Sequence, residues 1–227
     1  MNLKALLPAL ALVLFPVSQV VAEDTERTEP FTAAERESAY TTAIDKRAGD
    51  ILKVLAIEDA AKSSRVHDAI VAQYRSLRAR DEAIDNMFAS LSKNAPGIET
   101  NRQAILRVLS QQLHDHFLSR LAKDLSSEQV EAVKDKMTYN KVQVTYDAYC
   151  QILPKLNEAE KSRILATLKA AREEAMDGGS ADEKTAIFQK HKDQINAFLN
   201  GNGHDVGKAT REWEARQPKP AEAAAAR

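Results

Sequence analysis

The chain has 227 residues, 44% of them apolar and 29% charged, enough to bury one sizeable core or two small ones. Its 32 basic and 33 acidic side chains leave a formal net charge of −1, so composition offers no basic footprint for nucleic acid. A single cysteine, Cys150, excludes an intramolecular disulfide.

The first 22 residues read as a secretory signal. Lys4 supplies the positive start, and Ala5 to Val17 form an apolar run broken by Pro8 and Pro16, too short for a comfortable span. Val20 and Ala22 stand at the −3 and −1 positions of a small-residue cleavage site, followed by Glu23-Asp24. No cysteine lies at the cut, so no lipid anchor is expected. The expectation is an exported protein, periplasmic or secreted, with no transmembrane anchor after cleavage and a linker over 23–31.

Helical periodicity then runs through most of the chain. Thr32-x-x-Glu35 forms a capping box that opens a helix faced by Tyr40, Ile44, Ala48, Ile51 and Leu55. A second helix is predicted from about Asp59 to Lys93, with Val66, Ile70, Tyr74, Leu77, Ile84, Phe88 and Leu91 as its stripe. Asp81 interrupts that stripe. Arg75, Arg78 and Arg80, followed by Asp81, Glu82 and Asp85, read as a solvated helix face. Asn94-Ala95-Pro96-Gly97 ends the helix with turn chemistry. Ile98, Ile105, Leu109, Leu113, Phe117 and Leu121 mark a third helix. A fourth opens with Ser126 as N-cap, Gln129 as its N3 partner, and Leu125 and Val130 as a hydrophobic staple.

From Thr138 to Pro154 the rhythm breaks. Val142, Val144 and Tyr146 alternate as in an extended segment, and Tyr146, Tyr149 and Leu153 resume helical spacing. Asn157-x-x-Glu160 caps the next helix, faced by Ile164, Leu165, Leu168, Ala171 and Ala175 and ended by Asp177-Gly178-Gly179. Ser180-x-x-Glu183 starts another, with Ile187, His191, Ile195 and Leu199 inside. A short last helix from Asp205 carries Trp213, and 217–227 reads as a disordered tail. The expected architecture is all-α: one domain over 32–216, a bundle or array of about six to seven helices with one irregular Tyr-containing connection.

Two resemblances attach to particular residues. Leu125-Ser126-Ser127-Glu128-Gln129 resembles the L-T-x-x-Q motif of the Spy and CpxP-like periplasmic chaperones, and Leu156-Asn157-Glu158-Ala159-Glu160 resembles a degenerate second copy. Over about Tyr40 to Trp213 the chain resembles an uncharacterised family of exported bacterial proteins, a domain of unknown function. The residues that carry this are Arg47-Ala48, Gln73-Tyr74-Arg75, Met137-Thr138-Tyr139, Thr145-Tyr146-x-x-Tyr149, Ala171 to Ser180 and Trp213. That resemblance implies a secreted helical domain with a connection to carbohydrate use, and it carries no agreed activity or catalytic residues.

Two clusters are candidate sites. Tyr139, Tyr146 and Tyr149 concentrate three of the five tyrosines in one break between helices, where ring and hydroxyl suit a sugar face or a peptide side chain. The alternative is that Tyr146 and Tyr149 pack the core with satisfied hydroxyls. Glu173, Glu174 and Asp177 crowd a helix C-terminus, where the macrodipole disfavours negative charge. A cation, a basic partner or acid–base chemistry would use such carboxylates. The alternative is a solvated turn neutralised by Lys169, Arg172 and Lys184. Trp213 joins these as a candidate binding residue.

No metal and no cofactor are expected: His114 and His116 point about 200° apart on a helix, and His191 falls on an apolar stripe as a core histidine. Cys150 reads as a buried structural thiol. Signatures for nucleophile elbows, phosphate loops and dinucleotide binding are absent. The functional expectation is a non-enzymatic, chaperone-like envelope protein whose partner is a peptide, an unfolded client or a glycan. The alternative is a carbohydrate-associated enzyme using Glu173, Glu174 or Asp177, which requires those carboxylates to meet the tyrosines in one cleft.

Overall fold

The computed structural model describes residues 32–91 and 96–217. The leader, the 23–31 linker, Asn94-Ala95 of the predicted turn and the tail beyond Gln217 lie outside the described residues. Contacts divide the chain into residues 1–40 and residues 41–227. Of the first unit, Thr32 opens a helix as its capping box requires: its amide donates to Glu35 Oε2 at 2.8 Å, and the Glu35 amide donates to Thr32 Oγ1 at 3.2 Å.

Among the described residues every regular element is helical. The eight helices are α1 (Ala33–Leu55), α2 (Ala60–Phe88), α3 (Ile98–Leu121), α4 (Ser127–Met137), α5 (Lys141–Ile152), α6 (Glu158–Met176), α7 (Ala181–Gly201) and α8 (Val206–Arg216). That is one or two more than the sequence predicts, because the 138–154 segment is mostly a helix rather than an irregular connection. Thr138 to Asn140 precede the helix and Leu153-Pro154 follow it, with Tyr139 and Asn140 both left-handed at φ 59° and 54°. In an extended strand Val142 and Val144 would share a face. Instead Val142 is buried and Val144 is 55% exposed, so the stripe is Val142, Tyr146, Tyr149 and Leu153, with helical spacing. Two β-branched residues two positions apart hid that period.

Local capping explains most helix starts. Ser126 and Gln129 form a reciprocal box at α4, as do Asn157 and Glu160 at α6. Asp59, Ser180 and Asp205 accept the N3 amides of α2, α7 and α8. At Ser180 the reciprocal arm is diverted: the Glu183 carboxylate accepts from the Gly179 amide at 2.8 Å instead.

Pairing follows from side-chain register. Arg65 with Asp124, Arg80 with Ser110 and Arg102 with Asp85 run α2 and α3 antiparallel. Glu160 with His204 and Glu174 with His191 do the same for α6 and α7. Lys141 with Thr185 and Tyr149 with Asn196 set α5 alongside α7 in the same direction.

Two apolar clusters result. One joins α1, α2, the end of α3 and α4 through Ala48, Ile51, Val66, Ile70, Phe117, Leu121 and Val133. The other joins α5 to α8 through Val142, Tyr149, Leu168, Phe188, Ile195 and Val206. Helix α6 carries both, since Ala171 and Ala175 belong to the second and Met176 to the first. The end of α6 is therefore where the two clusters meet.

Candidate functional site

A helix that stops between two cores leaves its last carbonyls to be satisfied by something other than water. At α6 this falls to Lys184 from α7, whose Nζ donates to Ala175 O at 2.7 Å and Met176 O at 3.3 Å. Burial pushes the Lys184 ammonium down to about 8; Asp177 and Glu183 act against this, and Arg47 and Arg80 act with it. Arg80 from α2 completes the cap: its side chain is 2% exposed and its guanidinium donates to Asp177 O at 2.8 Å and Ser110 Oγ at 2.9 Å. It also forks onto Asp81 Oδ1 at 2.9 and 2.7 Å. The expectation of a solvated face over Arg75 to Asp85 is thus corrected at Arg80. One turn from both Leu77 and Ile84, Arg80 occupies the core stripe itself.

Asp81 in turn lies against the Gly179 backbone. A Cβ at Gly179 would fall 1.9 Å from Asp81 Oδ2, so this position accepts glycine alone without displacing the carboxylate.

The acidic residues of the turn are all engaged. His114 on α3 places Nδ1 3.2 Å from Asp177 Oδ1 and Nε2 3.7 Å from Glu173 Oε2. Its bond to Asp177 raises the imidazole's pKa; burial and Lys134 oppose this, while the charges of Asp177 and Glu173 add to it. Lys134 on α4 bridges Glu131 at 3.1 Å and Glu173 at 2.9 Å. Arg172, 4% exposed in its side chain, pairs with Asp135 at 2.6 Å, Glu173 at 3.0 Å and Glu131. Burial opposes the Arg172 charge, and the three carboxylates hold it well above the ordinary range. Burial likewise opposes ionisation of Glu131, but Arg172 and Lys134 hold it below the usual carboxylate range.

Glu174 faces the other way, to His191 Nε2 at 2.8 Å and Lys190 Nζ at 3.2 Å. His191 is the core histidine the stripe predicts, bonded at one nitrogen, while its buried Nδ1 has no partner. Of the three cations expected to neutralise the turn, only Arg172 pairs with its carboxylates. Lys184 takes carbonyls, Lys169 is exposed, and His114 and Lys134 arrive from α3 and α4.

The tyrosines stand elsewhere. Tyr149 is buried and donates to Asn196 Oδ1 at 2.7 Å and Lys192 O at 3.3 Å; burial, then the charge of Asp193, drives its pKa upward. Tyr146 lies beside Cys150 and within electrostatic reach of Lys161. Lys161 is twelve residues, roughly 18 Å along α6, from Glu173. Tyr139 is 46% exposed on the left-handed turn before α5, and Trp213 is half-buried on α8. Glu173 and Asp177 therefore share one network and Glu174 another, and none of the three is bonded to Tyr146 or Tyr149. Cys150 is half-buried, not fully buried as its neighbours suggest.

A different feature offers accessible space. At the end of the α2–α3 pair a groove of about 540 Å³ is lined by Phe88, Ala89, Leu91 and Ile98, with Asp85, Glu99 and Arg102 at its polar edge. Here the apolar stripes of both helices outrun the core: Leu91 and Met87 are 50% and 55% exposed, and Ile98 is half-buried. The stripe residues Phe88, Leu91 and Ile98 are legible in the sequence as helix faces, but not as the lining of a groove.

The fold and this arrangement define an all-helical protein with two apolar clusters tied by one ion-pair clasp. Residues 41–218 match the family described as a protein of unknown function (DUF3826), and the chain belongs to that family. Comparison with curated proteins gives no match.

Proposed function

We propose that this is a non-enzymatic binding protein of the cell envelope or exterior, which holds an apolar stretch of an unfolded client in a chaperone-like manner. The observation that carries the reading is the groove at the end of α2 and α3, where Phe88, Leu91 and Ile98 line a space edged by Asp85, Glu99 and Arg102. Its volume of about 540 Å³ suits one or two large apolar side chains, and the Asp85–Arg102 pair at its rim suits the polar backbone of an extended segment. The carboxylates of the Asp177 turn support the same reading by their engagement: each is paired with a basic side chain from another helix, so they serve the fold.

The test is suppression of client aggregation at stoichiometric amounts, followed by light scattering with several unrelated unfolding clients. Wild type is expected to suppress. Leu91→Lys is expected to keep the helical circular dichroism and lose suppression, because the side chain lines the groove, is half-exposed, and its replacement changes stability by about 0.5 kcal/mol or less. Equal suppression by the variant, or none by wild type, rejects the groove as the site.

A further inference from the structure

Helix α3 gives the core little. Of its 24 residues only Phe117 and Leu121 are buried, both in its last two turns, so its first half is a surface helix laid against α2. Along that half two hollows adjoin. The first is the groove of about 540 Å³ with Phe88, Leu91 and Ile98 on its apolar side. The second, of about 320 Å³, is lined by Glu99, Thr100, Gln103, Ala104 and Arg107, all exposed and all from α3. Thr100, Gln103, Ala104 and Arg107 stand at i, i+3, i+4 and i+7, four neighbours whose side chains surround a hole on a helix face. Glu99 lines both hollows, so they form one track that leaves the groove at Glu99 and ends at Arg107.

The charges along this track differ in how they are engaged. At the groove's rim Asp85 and Arg102 neutralise each other, the guanidinium donating at 2.7 Å. Glu99 accepts from the Gln103 side-chain amide at 2.7 Å, a neutral donor that leaves the carboxylate its charge. Among the described residues neither Glu99 nor Arg107 forms an ion pair. The order outward from the groove is therefore apolar, acidic, basic. Glu99 and Arg107 are eight residues apart, roughly 12 Å of helix, which is the span of about three to four residues of extended chain.

We propose that this track selects extended client segments in which an apolar residue lies beside a lysine or arginine, with an aspartate or glutamate about three to four residues beyond it. The apolar side chain enters the groove, the basic one meets Glu99, and the acidic one meets Arg107. This selectivity rests on the groove being a client site, and it adds the class of client. Exposed ion pairs contribute little to affinity, so the apolar side chain holds the segment and the two charges sort one segment from another. A segment with its two charges exchanged meets like charge at both positions, which disfavours it actively.

Fluorescence anisotropy of the purified chain with short labelled peptides tests this. The matched peptide carries Leu-Phe, then Lys, then Asp about three residues later, in a Gly/Ser background. A second peptide exchanges Lys and Asp, and a third replaces Leu-Phe by Ser-Ser. The matched peptide is expected to bind about three- to tenfold more tightly than the exchanged one at low salt, the gap narrowing as ionic strength rises. The Ser-Ser peptide is expected to bind weakest. Glu99→Lys combined with Arg107→Glu is expected to reverse the order, so that the exchanged peptide binds better, a gain that a misfolded variant cannot produce. Equal binding of the matched and exchanged peptides, with the Ser-Ser peptide weaker, overturns the selectivity and leaves the groove as a client site. No preference for Leu-Phe over Ser-Ser overturns both. An unchanged order in the charge-swapped variant overturns the assignment to Glu99 and Arg107.

Discussion

Removing Arg172 tests whether the end of α6 is a clasp. Arg172→Leu keeps the stem's apolar packing and deletes a guanidinium bonded to Glu131, Asp135 and Glu173. Breaking a buried pair by losing one partner costs about 3–5 kcal/mol where the stranded charge is buried. Here the stranded carboxylates are 45%, 40% and 36% exposed and recover water, and Glu173 and Glu131 keep Lys134, so the estimate falls to about 2–3 kcal/mol. For a chain of this size that is a drop in Tm of roughly 4–12 °C. Urea unfolding followed by circular dichroism at pH 7 measures it, with Arg172→Lys as an intermediate case because lysine cannot fork. Part of the loss is expected to return when Asp135→Asn is combined with Arg172→Leu, since Asp135 is the carboxylate whose only ion pair is with Arg172. A loss below about 0.5 kcal/mol, or strict additivity of the two changes, refutes the clasp.

Other expectations follow from the same region and from α5. Because the folded-state pKa of His114 is raised above 6.5, its contribution to stability is fully present below pH 6.5 and lost as pH rises through the folded value. The stability difference between wild type and His114→Gln is thus expected to shrink from pH 6 to pH 8.5 in urea titrations. Gly179→Ala is expected to cost about 1–2 kcal/mol by displacing Asp81 from the turn, and Asp81→Ala is expected to make the added methyl nearly neutral in a double-mutant cycle. Val142→Asp is expected to destabilise by about 3 kcal/mol or more and Val144→Asp by about 0.5 or less, a contrast that a strand with both on one face could not give.

What the sequence discloses here is what short range controls. The boxes at Ser126 and Asn157 need only residues three apart, and both form as the spacing dictates. Stripes such as Ile164, Leu168 and Ala171 are likewise local, and all three are buried. Helix α5 is the failure of that method, because Val142 and Val144 mimic alternation over a span shorter than two helical turns. The clasp lies beyond it for another reason: Arg80 meets Asp177 across 97 positions and His114 meets it across 63. The one local trace was the charged pair Arg80-Asp81 at the position where the α2 stripe demands an apolar residue. The acidic turn was correctly legible as a broken rule at a helix end, but its compensation came from helices whose approach no spacing encodes.

The most direct measurement of the account is hydrogen exchange of the protein with and without a bound unfolded client, read by mass spectrometry. The account predicts added protection over residues 84–91 and 98–105, where the groove lies, and none at residues 173–184. Protection centred on the Asp177 turn, with the α2–α3 end unchanged, would contradict it.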